Sequence, residues 1–343
     1  MSPLIWSLLI TSLATSTIIT MSSHHWLLAW VGLELNTLSI LPVIIKSHHP
    51  RATEAATKYF LIQAAAAAVI LLASTLNAWQ TGHWSIMHTS AHTTTIITLA
   101  ILLKLGIAPM HGWYPEVLQG STMNTALIIS TWQKLAPLTL LYLINNNPPT
   151  NILLLMGVIS ALAGGWIGLN QTQTRKIMAF SSIAHMGWLI ITLNLSLHLT
   201  TTTMMIYMIT TTAMFMSLNT TTTKTMTDMG MAWTQSPPLT TMMMITLMSL
   251  GGLPPLTGFT PKWLILNNLC HMNLLFPTII LAMASLPSLF FYIRLAYFTT
   301  LTTPPNTTNT HHKWRFKPPL IAGLTPATSL AALLLPLMPM MIS

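Results

Sequence analysis

Apolar runs of about twenty residues recur from one end of the chain to the other, parted by short polar turns. A run of that length crosses the ~30 Å hydrocarbon core of a bilayer as a helix. The pattern predicts spans near 3–21, 26–45, 56–78, 94–120, 123–144, 151–169, 174–194, 198–217, 239–269, 273–299 and 320–340. Threonine-rich stretches at 200–203, 220–223 and 240–241 weaken the contrast. A Thr hydroxyl can bond a carbonyl one turn back, however, so these stretches remain compatible with helices. The expected fold class is all-α: a polytopic membrane protein with about 11 transmembrane helices.

Composition agrees with a bilayer solvent. Lys and Arg number 13 and Asp and Glu 4, so charged residues are 5% of 343, while apolar residues are 52%. Soluble domains carry roughly 25% charged residues, and disorder needs low hydrophobicity and high charge. The lone Cys270 excludes a disulfide, iron–sulfur cluster or thiolate zinc site built by this chain alone. The net charge of +9 gathers no run long enough for nucleic acid; the densest, Lys313-Trp314-Arg315-Phe316-Lys317, reads as a membrane-flanking loop. The first basic residue is Lys46, so the apolar start reads as a retained first span rather than a targeting presequence.

The basic residues test the span count independently. Alternating loops put Lys46, Arg51, Lys58, Arg175, Lys176, Lys224, Lys313, Arg315 and Lys317 on the N-terminal side of the membrane. The opposite side receives no Lys or Arg, only His24, His25, His83, His88, His92, His198 and His271. Basic loops stay on the side of synthesis. The N-terminus is therefore expected on that side, and the C-terminus, after an odd number of spans, on the other. Arg294, at the basic-side end of the tenth span, reads as a snorkelling side chain.

Two Pro/Gly-interrupted segments align without gaps at an offset of 146 residues. Gly106-Ile-Ala-Pro109-Met-His-Gly112-Trp113-Tyr-Pro115-Glu116 matches Gly252-Leu-Pro-Pro255-Leu-Thr-Gly258-Phe259-Thr-Pro261-Lys262. The copies interrupt the fourth and ninth spans, so the second runs through the membrane in the opposite direction. Paired broken helices in inverted repeats point to a transport site near the midplane, because irregular backbone at that depth survives only against protein or in a wet cavity. The expected organisation is a first five-span repeat over 1–147, a second, inverted one over 148–303, and a basic loop with a C-terminal span over 304–343.

Four charges lie inside the spans of these repeats: Glu34, Lys104 just before the first break, Lys134, and Lys262 just after the second. Each costs roughly 2.5–3.5 kcal/mol at mid-bilayer, so together they cost on the order of 10 kcal/mol, which Leu or Met would not. A buried ammonium is disfavoured by desolvation and favoured by a nearby carboxylate. A lysine whose carboxylate partner approaches and withdraws therefore takes up and releases a proton. Lys104 ends a half-helix, where the dipole favours a cation, whereas Lys262 opens one, where it does not. His111, inside the first break, and His185, in the seventh span, are read equally as relay members or as hydrogen-bonded structural residues. Trp113 and Phe259 read as packing, and Gly164 with Gly168 as a close helix contact. Glu54 with Lys58, and Lys224 with Asp228, read as i,i+4 pairs.

Several motifs together resemble subunit 2 of NADH dehydrogenase, an antiporter-like membrane subunit of respiratory complex I similar to Mrp-type cation/proton antiporters. They are Lys104-Leu-Gly-Ile-Ala-Pro-Met-His111-Gly-Trp-Tyr-Pro-Glu116, Arg51-Ala-Thr-Glu-Ala-Ala-Thr-Lys58-Tyr-Phe, Arg175-Lys-Ile-Met-Ala-Phe-Ser-Ser-Ile-Ala-His185-Met-Gly and Gly252-Leu-Pro-Pro-Leu-Thr-Gly-Phe-Thr-Pro-Lys262-Trp. The resemblance covers essentially the whole chain. It implies a proton relay of Glu34, Lys104, Lys134 and Lys262, in which Glu34 pairs with Lys104. Longer members of the family have fourteen spans, and this chain resembles the animal versions that lack the first three. It also implies a place in the mitochondrial inner membrane, the N-terminus in the matrix and the C-terminus in the intermembrane space. The implied partners are the neighbouring subunits 4L and 4, accessory subunits and membrane lipids.

The expected function is proton translocation within proton-translocating NADH:ubiquinone reductase, by a subunit with no redox site of its own. No dinucleotide, flavin or cluster-ligand motif appears, so NADH, FMN, iron–sulfur clusters and ubiquinone are expected on partner subunits. Two rival readings stay open at this point: a self-contained cation/proton antiporter, and a structural membrane subunit with frozen charges.

Overall fold

The computed structural model describes residues 3–144, 149–300 and 323–342. Among them no strand forms and most residues are helical, with isolated bridges His25–Ser85 and Gln173–Thr225 fastening loops. Two compact units divide it, Met1–Ile159 and Ser160–Ser343. The expected domain limits at 147–148 and 303–304, and the basic loop with Lys313, Arg315 and Lys317, lie outside the described residues.

In the first unit α1 (Pro3–Met21), α2 (Trp26–Ile45) and α3 (Pro50–Thr81) are successive antiparallel neighbours. Their boundaries follow local chemistry. His25 and His49 accept the Leu27 and Arg51 amides through their imidazoles, each at 3.2 Å, in place of the usual hydroxyl or carboxamide cap. Pro50 opens α3 where no amide partner is needed, and Gly82 closes it in the left-handed region at φ 73°. The predicted fourth span is two helices, α4 (Ala91–Leu105) and α5 (Trp113–Gly120). The predicted fifth span also breaks: α6 (Met123–Ser130) passes through a 3₁₀ turn, Trp132–Lys134, into α7 (Leu135–Leu143). Pro137 cannot donate to the Gln133 carbonyl one turn earlier, so the α ladder fails there. Lys134, expected in the middle of an unbroken span, instead ends that turn.

Helix α8 (Thr150–Gly168) runs across the division between the units. The second unit holds α9 (Thr174–Leu195), α10 (Leu197–Thr221), α11 (Met226–Gln235), α12 (Pro237–Gly251), α13 (Phe259–His271), α14 (Leu275–Thr300), α15 (Leu324–Leu333) and α16 (Met338–Ile342). Helix α10 shows how threonine is carried in a span: Thr200, Thr203, Thr210 and Thr211 donate to the carbonyls of Leu197, Thr200, Ile206 and Tyr207 at 2.6, 2.9, 2.8 and 2.6 Å. Gly164 lets α8 press on α9; a Cβ there would lie 2.7 Å from the Ala184 nitrogen.

Three readings change. The expected Lys224–Asp228 pair is a capping box instead: Asp228 accepts the Lys224 and Thr225 amides at 3.2 and 2.8 Å, and Thr225 caps in return. These bonds, the Thr225 amide first, hold the Asp228 carboxyl below the usual carboxylate range. Arg294, read as a snorkelling side chain, takes on a structural role. It clamps the turn after α8, donating to the Leu169 and Gln171 carbonyls at 2.7 and 3.2 Å. The last expected span breaks at a 3₁₀ turn, Leu335–Leu337, beside Pro336 and Pro339.

Among the described residues seven helical segments are long and apolar enough to cross a membrane by length and composition. They are α1, α2, α3, α6 with α7, α8, α9 and α14. The other four expected spans are the two interrupted ones, the threonine-rich α10, and the broken C-terminal one. The chain is a polytopic helical membrane protein.

Candidate functional site

The two interruptions are built alike. Gly106 and Gly252 end α4 and α12 at φ 72° and 79°, a region open to residues without a Cβ. Behind them the Ile107 amide bonds the Leu102 carbonyl at 3.1 Å, and the Leu253 amide bonds Met248 at 3.3 Å, the six-to-one closure of a Schellman cap. The peptide bonds before Pro109 and Pro255 are both cis. Gly112 and Gly258 then start α5 and α13, with Pro115 and Pro261 inside their first turns.

Each break sets a lysine against a cavity. In the first unit Lys104, 5% exposed, stands in the last turn of α4, and its carbonyl accepts from the buried Gln63 side chain of α3 at 3.2 Å. Lys134, 3% exposed, enters from the turn between α6 and α7, with Nζ 4.9 Å from the centre of the Tyr114 ring. Both line one cavity of about 20 Å³, room for about one water, with Asn36, Tyr59, Gln63 and Gln133. The Tyr59 hydroxyl donates to Gln133 Oε1 at 3.5 Å.

Polar atoms without a protein partner collect around this cavity. Lys104 Nζ, Asn36 Oδ1, Gln133 Nε2 and Trp113 Nε1 are all shielded from solvent and accept or donate no hydrogen bond within the chain; the same holds for Glu34 Oε2, which does not line the cavity. Such atoms in native proteins are satisfied by ordered water where there is room for it. Glu34 lies within electrostatic reach of Lys104 and Tyr59. It forms no ion pair with Lys104; among the described residues the ion pairs are those of Lys58.

In the second unit Lys262, half-buried, does not stay at the positive start of α13. Its stem folds back across Gly252, and Nζ donates to the Gly251 carbonyl at 2.8 Å. Its cation therefore sits at the carbonyl end of α12, where the helix dipole favours it. The contrast with Lys104 expected from chain position is thereby removed: both cations stand at the C-terminal end of the first half-helix. Lys262 and His185 line a cavity of about 30 Å³ with Thr203, Tyr207, Thr210 and Ser249. The His185 Nε2 and the Tyr292 hydroxyl share a 3.3 Å hydrogen bond.

His111 is not brought into the first cavity; its Nδ1 lies 3.2 Å from the Pro109 carbonyl within its own turn. Glu116, which aligns with Lys262, points elsewhere too. Lys58 bridges it at 2.7 Å and Glu54 at 2.5 Å, tying α5 to α3. These side chains are 40% to 60% exposed, and exposed pairs contribute little. Glu116→Gln should lower stability by less than about 1 kcal/mol and leave proton transport unchanged in reconstituted membranes. A loss of transport would place Glu116 in the path. Gln63, Gln133, Tyr59, Tyr207 and Tyr292 were not singled out in the sequence. The available signal was their polarity in mid-span, which uncharged side chains give only weakly.

Residues 23–288 match the family described as NADH:quinone oxidoreductase/Mrp antiporter, TM, and residues 289–342 match NADH dehydrogenase subunit 2 C-terminus. NADH-ubiquinone oxidoreductase chain 2 of Polypterus ornatipinnis is 48% identical, over 100% of this chain and 99% of that one. The protein of the same name from Squalus acanthias is 50% identical, over 99% and 98%. The fold is that of a chain in respiratory complex I from Thermus thermophilus with bound aureothin (TM-score 0.85, 24% identity, 98% of this chain and 78% of that one). It is also that of a chain in the Mrp complex from Dietzia sp. DQ12-45-1b (TM-score 0.81, 14% identity, 97% and 76%). The chain belongs to the NADH:quinone oxidoreductase/Mrp antiporter membrane family and, within it, to the NADH-ubiquinone oxidoreductase chain 2 proteins.

Proposed function

We propose that this chain is a proton-translocating, non-redox subunit of respiratory NADH:ubiquinone oxidoreductase. The observation that carries the reading is the pairing of two buried lysines, Lys104 and Lys134, on one cavity ringed by polar atoms without protein partners. A water in that cavity, together with the polar side chains that line it, gives a proton a hydrogen-bonded route between the two amines. Glu34 sets its direction. When its carboxylate nears Lys104 the ammonium is favoured; when it withdraws, the proton leaves for water and then for Lys134. The second cavity offers the same elements in Lys262, His185 and the Tyr292 hydroxyl. His111, bonded within its own loop, is left out of this relay.

The matched breaks support an arrangement of eleven spans in two inverted repeats, with the N-terminus in the matrix and the C-terminus in the intermembrane space of mitochondria. Electron carriers (NADH, FMN, iron–sulfur clusters and ubiquinone) belong in this reading to partner subunits, and subunits 4L and 4 are its neighbours. Redox energy then reaches this chain by biasing the separation of Glu34 and Lys104. In the assembled complex, Glu34→Gln should leave NADH oxidation by an uncoupled preparation intact and lower pumping at least about tenfold, where a positioned acid or base contributes roughly a hundredfold or more. Pumping at the normal ratio of protons to electrons would remove Glu34 from the switch.

A further inference from the structure

The first unit has a second hollow unrelated to the lysines. Leu41 and Ile45, at the end of α2, and Ala56, Thr57, Phe60 and Leu61, at the start of α3, line an open groove of about 340 Å³. Its wall is apolar: the Thr57 hydroxyl is turned away onto the Glu54 carbonyl at 2.9 Å. Phe60 and Leu61 are 39% and 66% exposed.

The groove ends at a cationic turn. Lys46 and Arg51, both exposed, flank the turn that joins its two walls. Lys46 Nζ is held 4.3 Å above the Trp6 ring, an aromatic of the kind that sits at headgroup level. The first turn of α3 contains no acidic residue, and its amide ends add partial positive charge. Glu54, three residues after Arg51 and within its electrostatic reach, is ion-paired to Lys58. A carbon-lined slot under two cations complements a molecule with an apolar tail and an anionic head.

We propose that this groove binds an anionic phospholipid, one acyl chain lying along Ile45, Thr57 and Leu61 and the phosphate meeting Lys46 and Arg51. Basic residues beside a membrane attract anionic headgroups in this way. The test uses the assembled complex in nanodiscs of phosphatidylcholine with a minor share of phosphatidylglycerol, either lipid carrying a photoactivatable acyl chain. Labelled phosphatidylglycerol should mark the peptide spanning residues 41–61 in preference to labelled phosphatidylcholine. Lys46→Gln with Arg51→Gln should lower that marking on the order of tenfold. Thr57→Phe, which fills the slot and keeps the charges, should lower it too. Equal marking by the two lipids, marking that survives the paired charge change, or a partner's helix found seated in the groove would each overturn the proposal.

Discussion

Lys104→Met removes proton pumping from the assembled complex while leaving the chain folded. The ammonium is 5% exposed, and Nζ has no hydrogen-bond partner within the chain. Methionine has a similar length and none of the roughly 2.5–3.5 kcal/mol penalty of a charge at that depth, so thermal stability should hold or rise. A lysine kept for structure would give the opposite result, because removing one side of a buried charge arrangement leaves the other uncompensated. Pumping should fall at least about tenfold, since the first proton acceptor of the cavity is gone. Lys104→Arg should not restore it: a guanidinium stays charged and releases no proton. The measurement is acid uptake into vesicles per NADH oxidised, read beside the melting temperature. Undiminished pumping by Lys104→Met, in a complex of normal stability, would end the relay account.

Much of this was legible in the sequence for a physical reason. A break in a membrane helix is local chemistry, so Gly106, Pro109, Gly252 and Pro255 announce themselves by residue type and spacing. A charge in oil is costly, so Lys104, Lys134 and Lys262 stand out without any structure. What was hidden depended on packing. The break at Lys134 had its signal in Pro137, three residues on, but a lone proline in a span does not show whether the helix kinks or stops. The short helix Met226–Gln235 begins with a capping box, and Asp228 reads as a pairing charge until the chain is folded. Lys262 was placed by position in its half-helix, while its cation follows a flexible stem back to the Gly251 carbonyl. His111 and His185 look equivalent as isolated intramembrane histidines. Only the fold separates the one bonded within its own loop from the one that shares a cavity with a lysine.

The two breaks differ where the sequence makes them look most alike, which sets up the second large effect. Gly112 and Gly258 occupy matched positions, and both have ordinary right-handed backbone, so neither is held by conformational need. A Cβ on Gly112 would meet nothing within 4 Å. A Cβ on Gly258 would lie 1.8 Å from the Ser249 carbonyl oxygen, which is backbone in the last turn of α12 and cannot swing aside. Around that contact the Ser249 and Thr257 hydroxyls both donate to the Ala331 carbonyl, at 2.8 and 2.5 Å, fastening the break to α15. Gly258→Ala must therefore separate α12 from α13 and strain those bonds. The expected cost is about 3 kcal/mol, at the upper end for overpacking a close contact, and it should appear as a lower melting temperature and less assembled complex. Gly112→Ala should cost less than about 1 kcal/mol and assemble normally. Lys262 hangs across the same joint, with its stem 3.0 Å from where a Cβ on Gly252 would sit. Whatever Gly258→Ala complex does assemble should therefore pump poorly as well. Equal tolerance of both alanines would mean that α12 and α13 are not in contact at this joint, and the seat assigned to Lys262 at the end of α12 would fall with it.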